Sequence, residues 1–354
     1  MSAFLRSLSR RALLVGAAIV ISVPALAEDT IKFGLVAAMS GQSAKSGEAI
    51  MRGLSLAMDE INANGGVLGK KLELVVRDDE SNPAKGVVAA RELVQREKVA
   101  VLFGGLDTPV SMAIVPFANQ SKVPFMGVWA AGTAITRNGA ADNYVFRVSA
   151  VDALVDRALV DYAMKKYDIK KPGMILINNP WGESNEGGLK AALADKGLPF
   201  AGIEKFHDAD VDVVPQLTRL KDAGADALFL VANVAPSSQV VKSLDRMGWN
   251  VPVVSHWGPA GGRFTELAGP SAAKVHFIQT FSFAGKTSPK AEAWAASVAD
   301  LTAQTGYPTY IPMPSGEADA STSRTLGQQS WPAHSQGHCA SSGPARGGPG
   351  RCRG

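Results

Sequence analysis

The fold class can be inferred from residues 31–80, IKFGLVAAMSGQSAKSGEAIMRGLSLAMDEINANGGVLGKKLELVVRDDE. It opens with an apolar run, residues 31–39, which is typical of a strand buried on both faces of a parallel sheet. Apolar residues then recur at a spacing near 3.6, and this pattern predicts a helix that ends at the Asn-Gly-Gly of residues 64–66. Residues 71–80 alternate in hydrophobicity and predict a second strand. The segment therefore indicates a strand–helix–strand unit.

The same alternation of strands and helices continues along the chain. Strands are predicted at residues 99–105, 123–128, 143–150, 174–179, 200–206, 226–232, 251–256 and 275–283, and helices at 84–97, 152–167, 185–196, 213–223, 236–247 and 289–305. Such an order gives parallel sheets wound right-handedly. The pattern divides into two similar sets, with crossings near Ala150 and Phe281. We therefore predict an α/β fold of two doubly wound parallel-sheet lobes, residues 28–150 and 151–282, with a hinge and an interlobe ligand cleft.

The amino terminus has the pattern of a secretory signal peptide, residues 1–27. Arginines precede an apolar stretch at residues 12–23, and Ala25-Leu26-Ala27 matches a small-residue cleavage site. The apolar stretch is shorter than the ~20 residues that a membrane-spanning helix needs. The pair Arg10-Arg11 also resembles a twin-arginine export signal, although ordinary export is the simpler interpretation. A periplasmic location is expected by either route.

The composition limits the class of partner. The chain has 354 residues, a net charge of +4 and 46% hydrophobic residues, which is enough for two domains with apolar cores. No cluster of basic and aromatic residues indicates nucleic-acid binding. Both cysteines, Cys339 and Cys352, lie in the final segment, so no disulfide is expected within the two lobes.

The final segment, residues 315–354, differs from the rest. It is rich in Ser, Gly, Pro, Ala and Arg and has almost no apolar periodicity. A natural disordered tail is one interpretation. We favour a shifted reading frame or a truncated gene, because the family resemblance described next implies a helix, a third crossing and a last strand after about residue 316, and these are missing.

A family resemblance rests on residues 40–94. It combines a Ser-Gly after the first strand, the INANGG-x-x-GK-x-LELV segment and the DD-x-x-x-P turn, in that order. This stretch resembles the first lobe of the periplasmic solute-binding proteins that feed branched-chain amino-acid-type ABC transporters, and the resemblance extends more weakly to about Pro312. It implies that residues 283–314 return to the first lobe. It also implies an exported protein that captures an amino acid, amide or aromatic acid and delivers it to membrane ABC permease subunits, without catalysis or cofactor.

Two other functional classes compete with a role in transport. A ligand-sensing domain of the same fold, coupled to a signalling partner, remains the alternative. An exported α/β enzyme is disfavoured, because GGVLGKK at residues 65–71 departs from a phosphate-binding loop and no Gly-x-Ser-x-Gly elbow is present. The five histidines lack metal-ligand spacing, so no metal is predicted.

In the first lobe, the candidate ligand contacts follow two strands. A ligand carboxylate is favoured by backbone N–H groups, hydroxyls and a helix N-terminus, and Asp107, Thr108 and Ser111 lie where a strand gives way to a helix. The alternative is that Asp107 or Thr108 only caps that helix. The resemblance places a second hydroxyl at Pro109, which has none. The next strand is followed by small residues that allow close backbone approach, and the candidates there are Ala130, Ala131, Gly132 and Thr133.

In the second lobe, the candidates are Trp181, Asn233, His256 and Trp257. The resemblance implies an aromatic contact with the ligand at Trp181, and an aromatic on a loop at a strand end suits that role. Trp181 could instead pack on its own helix, and His256 could be an internally bonded histidine. The resemblance implies an acidic residue near Ala260 that neutralises a ligand ammonium. Since Ala260 has no charge, either Asp107 supplies it from the other lobe or the ligand lacks an ammonium.

Overall fold

The computed structural model of the protein describes residues 30–261 and 263–279. The predicted signal peptide, the return to the first lobe at residues 283–314 and the final segment 315–354 lie outside the described residues. Within the described ranges, no helix is long and apolar enough to span a membrane.

The first lobe is built on a five-stranded parallel sheet in the order β2-β1-β3-β4-β5. Its strands are β1 Ile31–Ala37, β2 Leu72–Asp78, β3 Val101–Gly104, β4 Phe125–Gly127 and β5 Val145–Arg147, and its helices are α1 Ala44–Ala63, α2 Pro83–Gln95 and α3 Thr108–Ser121. Helices α2 and α3 pack on one face of the sheet, where Leu93, Leu102, Ile114 and Phe125 are fully buried.

The second lobe repeats this plan with the parallel strand order β10-β9-β8-β6-β7. Its strands are β6 Gly173–Ile177, β7 Gly202–Phe206, β8 Leu228–Val231, β9 Val253–Ser255 and β10 Val275–Phe277, and its helices are α4 Asp152–Tyr167, α5 Pro180–Asp195, α6 Val214–Asp222, α7 Val234–Arg246 and α8 Phe264–Ala268. Strands β6 and β8 are buried at every residue, as expected for central strands covered on both faces. The predicted α/β class with two doubly wound parallel sheets is confirmed.

Local sequence explains where the elements begin. Asn82 accepts hydrogen bonds from the first backbone N–H groups of α2, and Pro83 occupies a position where the missing N–H is harmless. Strand β1 ends at Ala37, two residues before the predicted end, and the Met39 N–H donates to the Asp78 carboxylate at 2.9 Å. The chain passes from β5 of the first lobe directly into α4 of the second.

One predicted element was placed wrongly. Residues 180–184 were expected to be a loop, with a helix from residue 185, but α5 begins at Pro180. The Asn179 side chain accepts from Trp181 N and Gly182 N, so it caps the helix five residues earlier than the apolar periodicity suggests. Trp181 therefore lies in the first turn of α5 and not on a loop.

Candidate ligand-binding cleft

The two lobes enclose a narrow cavity beyond the carboxyl ends of their strands. Its volume is about 20 Å³, close to the minimum that one water molecule occupies. It is lined by Leu106, Asp107, Thr108, Pro109, Trp129, Ala130, Ala131, Asn179, Trp181, Asn233 and Trp257. Doubly wound sheets bind ligands at this edge, because the loops there surround a crevice.

In the first lobe, the cavity wall includes the start of α3. Asp107 occupies the N-cap position but its side chain makes no capping hydrogen bond, so capping does not account for this carboxylate. The Thr108 hydroxyl accepts from Gly132 N at 3.2 Å. A Cβ at Gly132 would lie only 2.4 Å from the Thr108 methyl group, so this approach requires glycine.

The second part of this wall, residues 129–133, is held by the crossing between the lobes. The Arg147 guanidinium donates to the carbonyl oxygens of Ala131 at 3.0 Å and Gly132 at 2.6 Å. The Ser149 hydroxyl donates to Ala130 O at 2.8 Å. These bonds fix the backbone of the wall from the segment that joins the lobes, so the wall and the crossing form one unit.

In the second lobe, Trp181 and Trp257 line the cavity and His256 lies behind them. The Trp181 indole N–H donates to Asp152 Oδ1 at 3.3 Å, and its ring meets the His256 ring edge-on with centroids 5.4 Å apart. His256 Nε2 lies 3.1 Å from the same Asp152 oxygen, without the geometry of a hydrogen bond. Asp152 thus sets the position of Trp181 from beneath the cleft.

Among the described residues, several hydrogen bonds join the lobes, and two of them are central to the cleft. Asn233 Nδ2 donates to Asp107 Oδ1 at 3.2 Å, and Thr133 N donates to the Ser184 hydroxyl at 3.0 Å. Both contacts pair a residue after a strand of the first lobe with one near a helix start of the second. The lobes therefore meet through polar groups that water could satisfy equally well when the lobes separate.

Of the eleven predicted site residues, seven line the cavity. These are Asp107, Thr108, Ala130, Ala131, Trp181, Asn233 and Trp257. The other four, Ser111, Gly132, Thr133 and His256, are not among the residues that line it. Gly132 and Thr133 are used in the contacts described above, and His256 is fully buried because it packs between the two tryptophans and Asp152.

Four lining residues were not predicted: Leu106, Pro109, Trp129 and Asn179. Each lies within five residues after a strand end, so position alone could have indicated them. Asn179 caps α5. Because residues 180–184 were predicted to form a loop, no helix cap was expected at this position. The contributions of Arg147 and Asp152 had no signal in the sequence, because they depend on how the crossing folds back onto the cleft.

The comparisons with known proteins agree with this geometry. Residues 30–315 match the family model described as periplasmic binding protein. The chain belongs to the periplasmic binding protein family.

Three relatives show which kinds of binding protein this periplasmic binding protein resembles. A Brucella melitensis protein named Leu/Ile/Val-binding protein homolog 3 is 25% identical over 68% of the chain, and the match spans 65% of that relative's length. A Streptococcus pneumoniae branched-chain amino acid transporter substrate binding protein, solved with isoleucine, is 26% identical with a TM-score of 0.69 over 79% of each chain. A Rhodopseudomonas palustris solute binding protein of an ABC transporter, solved with 3,4-dihydroxybenzoic acid, is 26% identical with a TM-score of 0.65 over 80% of this chain and 76% of that one.

A larger hollow of about 410 Å³ lies on the outside of the first lobe of this binding protein. It is lined by Arg91 and Gln95 of α2 and by Phe117, Gln120 and Ser121 of α3. The carboxyl ends of the helices lie at the edge of the sheet where the strands begin, remote from the cleft. The cleft is the better candidate because residues of both lobes converge on it.

Beneath the cleft, α4 carries a second buried carboxylate, Asp156, which has no hydrogen-bond partner among the described residues. Asp156 is fully buried, neither of its oxygens has a hydrogen-bond partner, and a Cβ at Gly188 of α5 would lie 1.9 Å from its Oδ2. Burial, and then the charge of Asp152, raise the pKa of Asp156 well above its ordinary value. A carboxyl whose pKa is higher in the folded than in the unfolded state stabilises the fold at low pH.

We expect Asp156→Asn to remove a pH dependence. In the wild type, the free energy of unfolding should fall by about 1.4 kcal/mol per pH unit as the pH rises from the unfolded pKa of about 3.9 toward the raised folded pKa. The asparagine variant should lose this slope and be the more stable protein at alkaline pH. Urea unfolding at several pH values measures it. Asp161→Asn, on the exposed side of the same helix, is the control that should keep the wild-type slope; an unchanged slope in Asp156→Asn would contradict the assignment.

Proposed function

We propose that this protein is the solute-binding component of an ABC importer, which captures a small organic ligand between its two lobes. The observation that carries the proposal is the cavity at the strand ends, which takes its lining from both lobes. The relatives described above, solved with isoleucine and with 3,4-dihydroxybenzoic acid, support a small organic ligand of similar size to these two compounds. The permease subunits are the expected partner, and export by residues 1–27 would place the protein in the periplasm.

The mechanism is differential binding to an open and a closed form. The cavity of about 20 Å³ is too small for an amino acid, so the lobes must move apart to admit one and must close around it with a wider gap than they have here. A ligand that contacts Thr108 in one lobe and Trp181 in the other gains both sets of contacts only after closure. Binding therefore shifts the equilibrium toward the closed form, as in hinge closure generally.

Ligand binding is tested by thermal shift and by tryptophan fluorescence. A panel of amino acids and hydroxybenzoates is added to the purified protein, and small molecules that co-purify are identified by mass spectrometry after denaturation. A ligand at about 100 times its Kd should stabilise the protein by about 2.7 kcal/mol. Its binding should also change the emission of the three tryptophans at the cavity.

Matched tryptophan variants locate the binding site. Trp129→Phe should reduce the fluorescence change on binding, because Trp129 lines the cavity. Trp249→Phe should leave it intact, since Trp249 packs against the core of the second lobe. Failure of every compound to stabilise the protein, with no co-purified molecule, would contradict the proposed function. Turnover of a bound compound would assign the protein to an enzyme class instead.

A further inference from the structure

The carboxylate of Asp107 lies where the two lobes meet and is incompletely bonded. Its Oδ1 accepts from Asn233 of the opposite lobe at 3.2 Å, while Oδ2 is buried and has no partner with hydrogen-bond geometry. Asp107 lines the cavity. A buried carboxylate oxygen without a donor is costly, and a hydrogen bond from a bound molecule is one way to offset that cost.

The surroundings of Asp107 add negative charge. Asp79, which follows β2, is 1% exposed, and its Oδ2 is also buried without a partner. Burial, with smaller contributions from the charges of Asp107 and Asp78, raises the pKa of Asp79 to about 6. Asp208 of the second lobe has an exposed side chain, and partial desolvation, then the charge of Asp107, raise its pKa, partly offset by His207.

Among the described residues, no cationic side chain forms an ion pair with Asp107. None of their ion pairs includes Asp107, Asp79 or Asp208. The N-terminus of α3 contributes a partial positive charge. Even so, burial raises the pKa of Asp107, and the nearby Ser81 and Asn233 side chains offset only part of that rise. A positive group in the cleft would relieve the imbalance.

The rest of the cavity lining fits the body of an organic cation. Trp129, Trp181 and Trp257 line the cavity, and indole rings pack on apolar groups and attract cations through their faces. Ala260 packs against the core of the second lobe and does not line the cavity. The only carboxylate among the lining residues is that of Asp107.

We propose that Asp107, a residue of the first lobe, binds a protonated amine of the cleft ligand. This assignment rests on the proposed function and narrows it. The negative charge for the amine then comes from the first lobe, while Asn233 holds the same carboxylate from the second, so amine recognition and closure share one group.

The test compares amines with their deaminated analogues. Leucine is paired with isocaproate and phenylalanine with hydrocinnamate, and each is titrated calorimetrically into the wild type and into Asp107→Asn, which keeps the shape and the Asn233 contact. The wild type should bind the amines about ten- to hundred-fold more tightly than the analogues. Asp107→Asn should lose that preference. Asp168→Asn, in an exposed turn at the end of α4, is the control that should keep it.

Ligand-free stability provides a second readout. Asp107→Asn should raise the melting temperature by about 2–4 °C, because it removes an uncompensated charge. A fall in melting temperature would assign Asp107 a structural role and overturn the inference. Equal affinity for amines and analogues, or stabilisation by Ca²⁺ or Mg²⁺ that Asp107→Asn abolishes, would also overturn it while leaving the proposed function in place. Binding of none of these compounds, nor of any in the wider panel, would overturn both.

Discussion

Replacing Asp152 by alanine is expected to lower the free energy of unfolding by about 3–5 kcal/mol. Asp152 is fully buried at the first turn of α4, and its carboxylate accepts from the Trp181 indole and lies 3.1 Å from His256 Nε2. Its charge also opposes the fall that burial causes in the pKa of Arg147. Removing it would leave the buried Trp181 indole N–H without its acceptor and the half-buried Arg147 guanidinium without a nearby negative charge, and loss of one partner from a buried charged group is costly.

Urea unfolding measures this loss, and Asp161→Ala is the matched control. Asp161 lies on the same helix but is 44% exposed and pairs only with Lys196, so its loss should change stability by about 1 kcal/mol or less. Because Asp152 positions Trp181 at the cavity, its alanine variant should also bind any cleft ligand more weakly. Equal stability of the Asp152 and Asp161 variants would show that the buried cluster contributes no net stabilisation.

Replacing Gly182 by alanine should have the next largest effect, a loss of about 3 kcal/mol, the upper end of the usual cost of overpacking. The added Cβ would lie 1.8 Å from the Ile177 carbonyl oxygen. This atom belongs to the backbone of a central strand and cannot rotate away, so the start of α5 must shift. Trp181 is the preceding residue, so the shift should also weaken ligand binding.

Gly187, one turn further along α5, provides the opposite case. A Cβ there meets nothing within 4 Å, and alanine is favoured over glycine in a helix by about 1 kcal/mol. Gly187→Ala should therefore raise the melting temperature while Gly182→Ala lowers it. Thermal unfolding of the two variants decides the point: a shift of the same sign in both would mean that helix propensity, and not the contact with Ile177, governs α5.

The order of strands and helices could be predicted because it depends on local periodicity. The fully apolar runs at β6 and β8 indicate strands covered on both faces, and the Asn-Pro before α2 marks a helix start. The rule that ligands bind beyond the carboxyl ends of parallel strands, together with the family resemblance, then indicated residues after β3, β4, β6, β8 and β9. Seven of them line one cavity for that reason.

The prediction failed where a side chain acted against the local pattern. Apolar periodicity placed the start of α5 at residue 185, but the Asn179 cap moves it to Pro180 and brings Trp181 into the helix. For His256 the sequence left two interpretations open, a ligand contact and an internally bonded histidine, and the structure encloses its ring between Trp181, Trp257 and Asp152. Both outcomes depend on contacts between residues that are close in space and, for Asp152, far apart in sequence.

Hydrophobic period and turn residues are local properties, so the amino-acid pattern was enough to indicate two wound lobes and the strand ends at which a site could form. Which groups face the cleft and which support it depends on contacts made only in the folded chain. Arg147 and Asp152 bind the cavity walls from the crossing, and Asp107 meets Asn233 across 126 positions of chain. Such hydrogen bonds form only when the lobes pack against each other, because they join residues that are distant in the sequence.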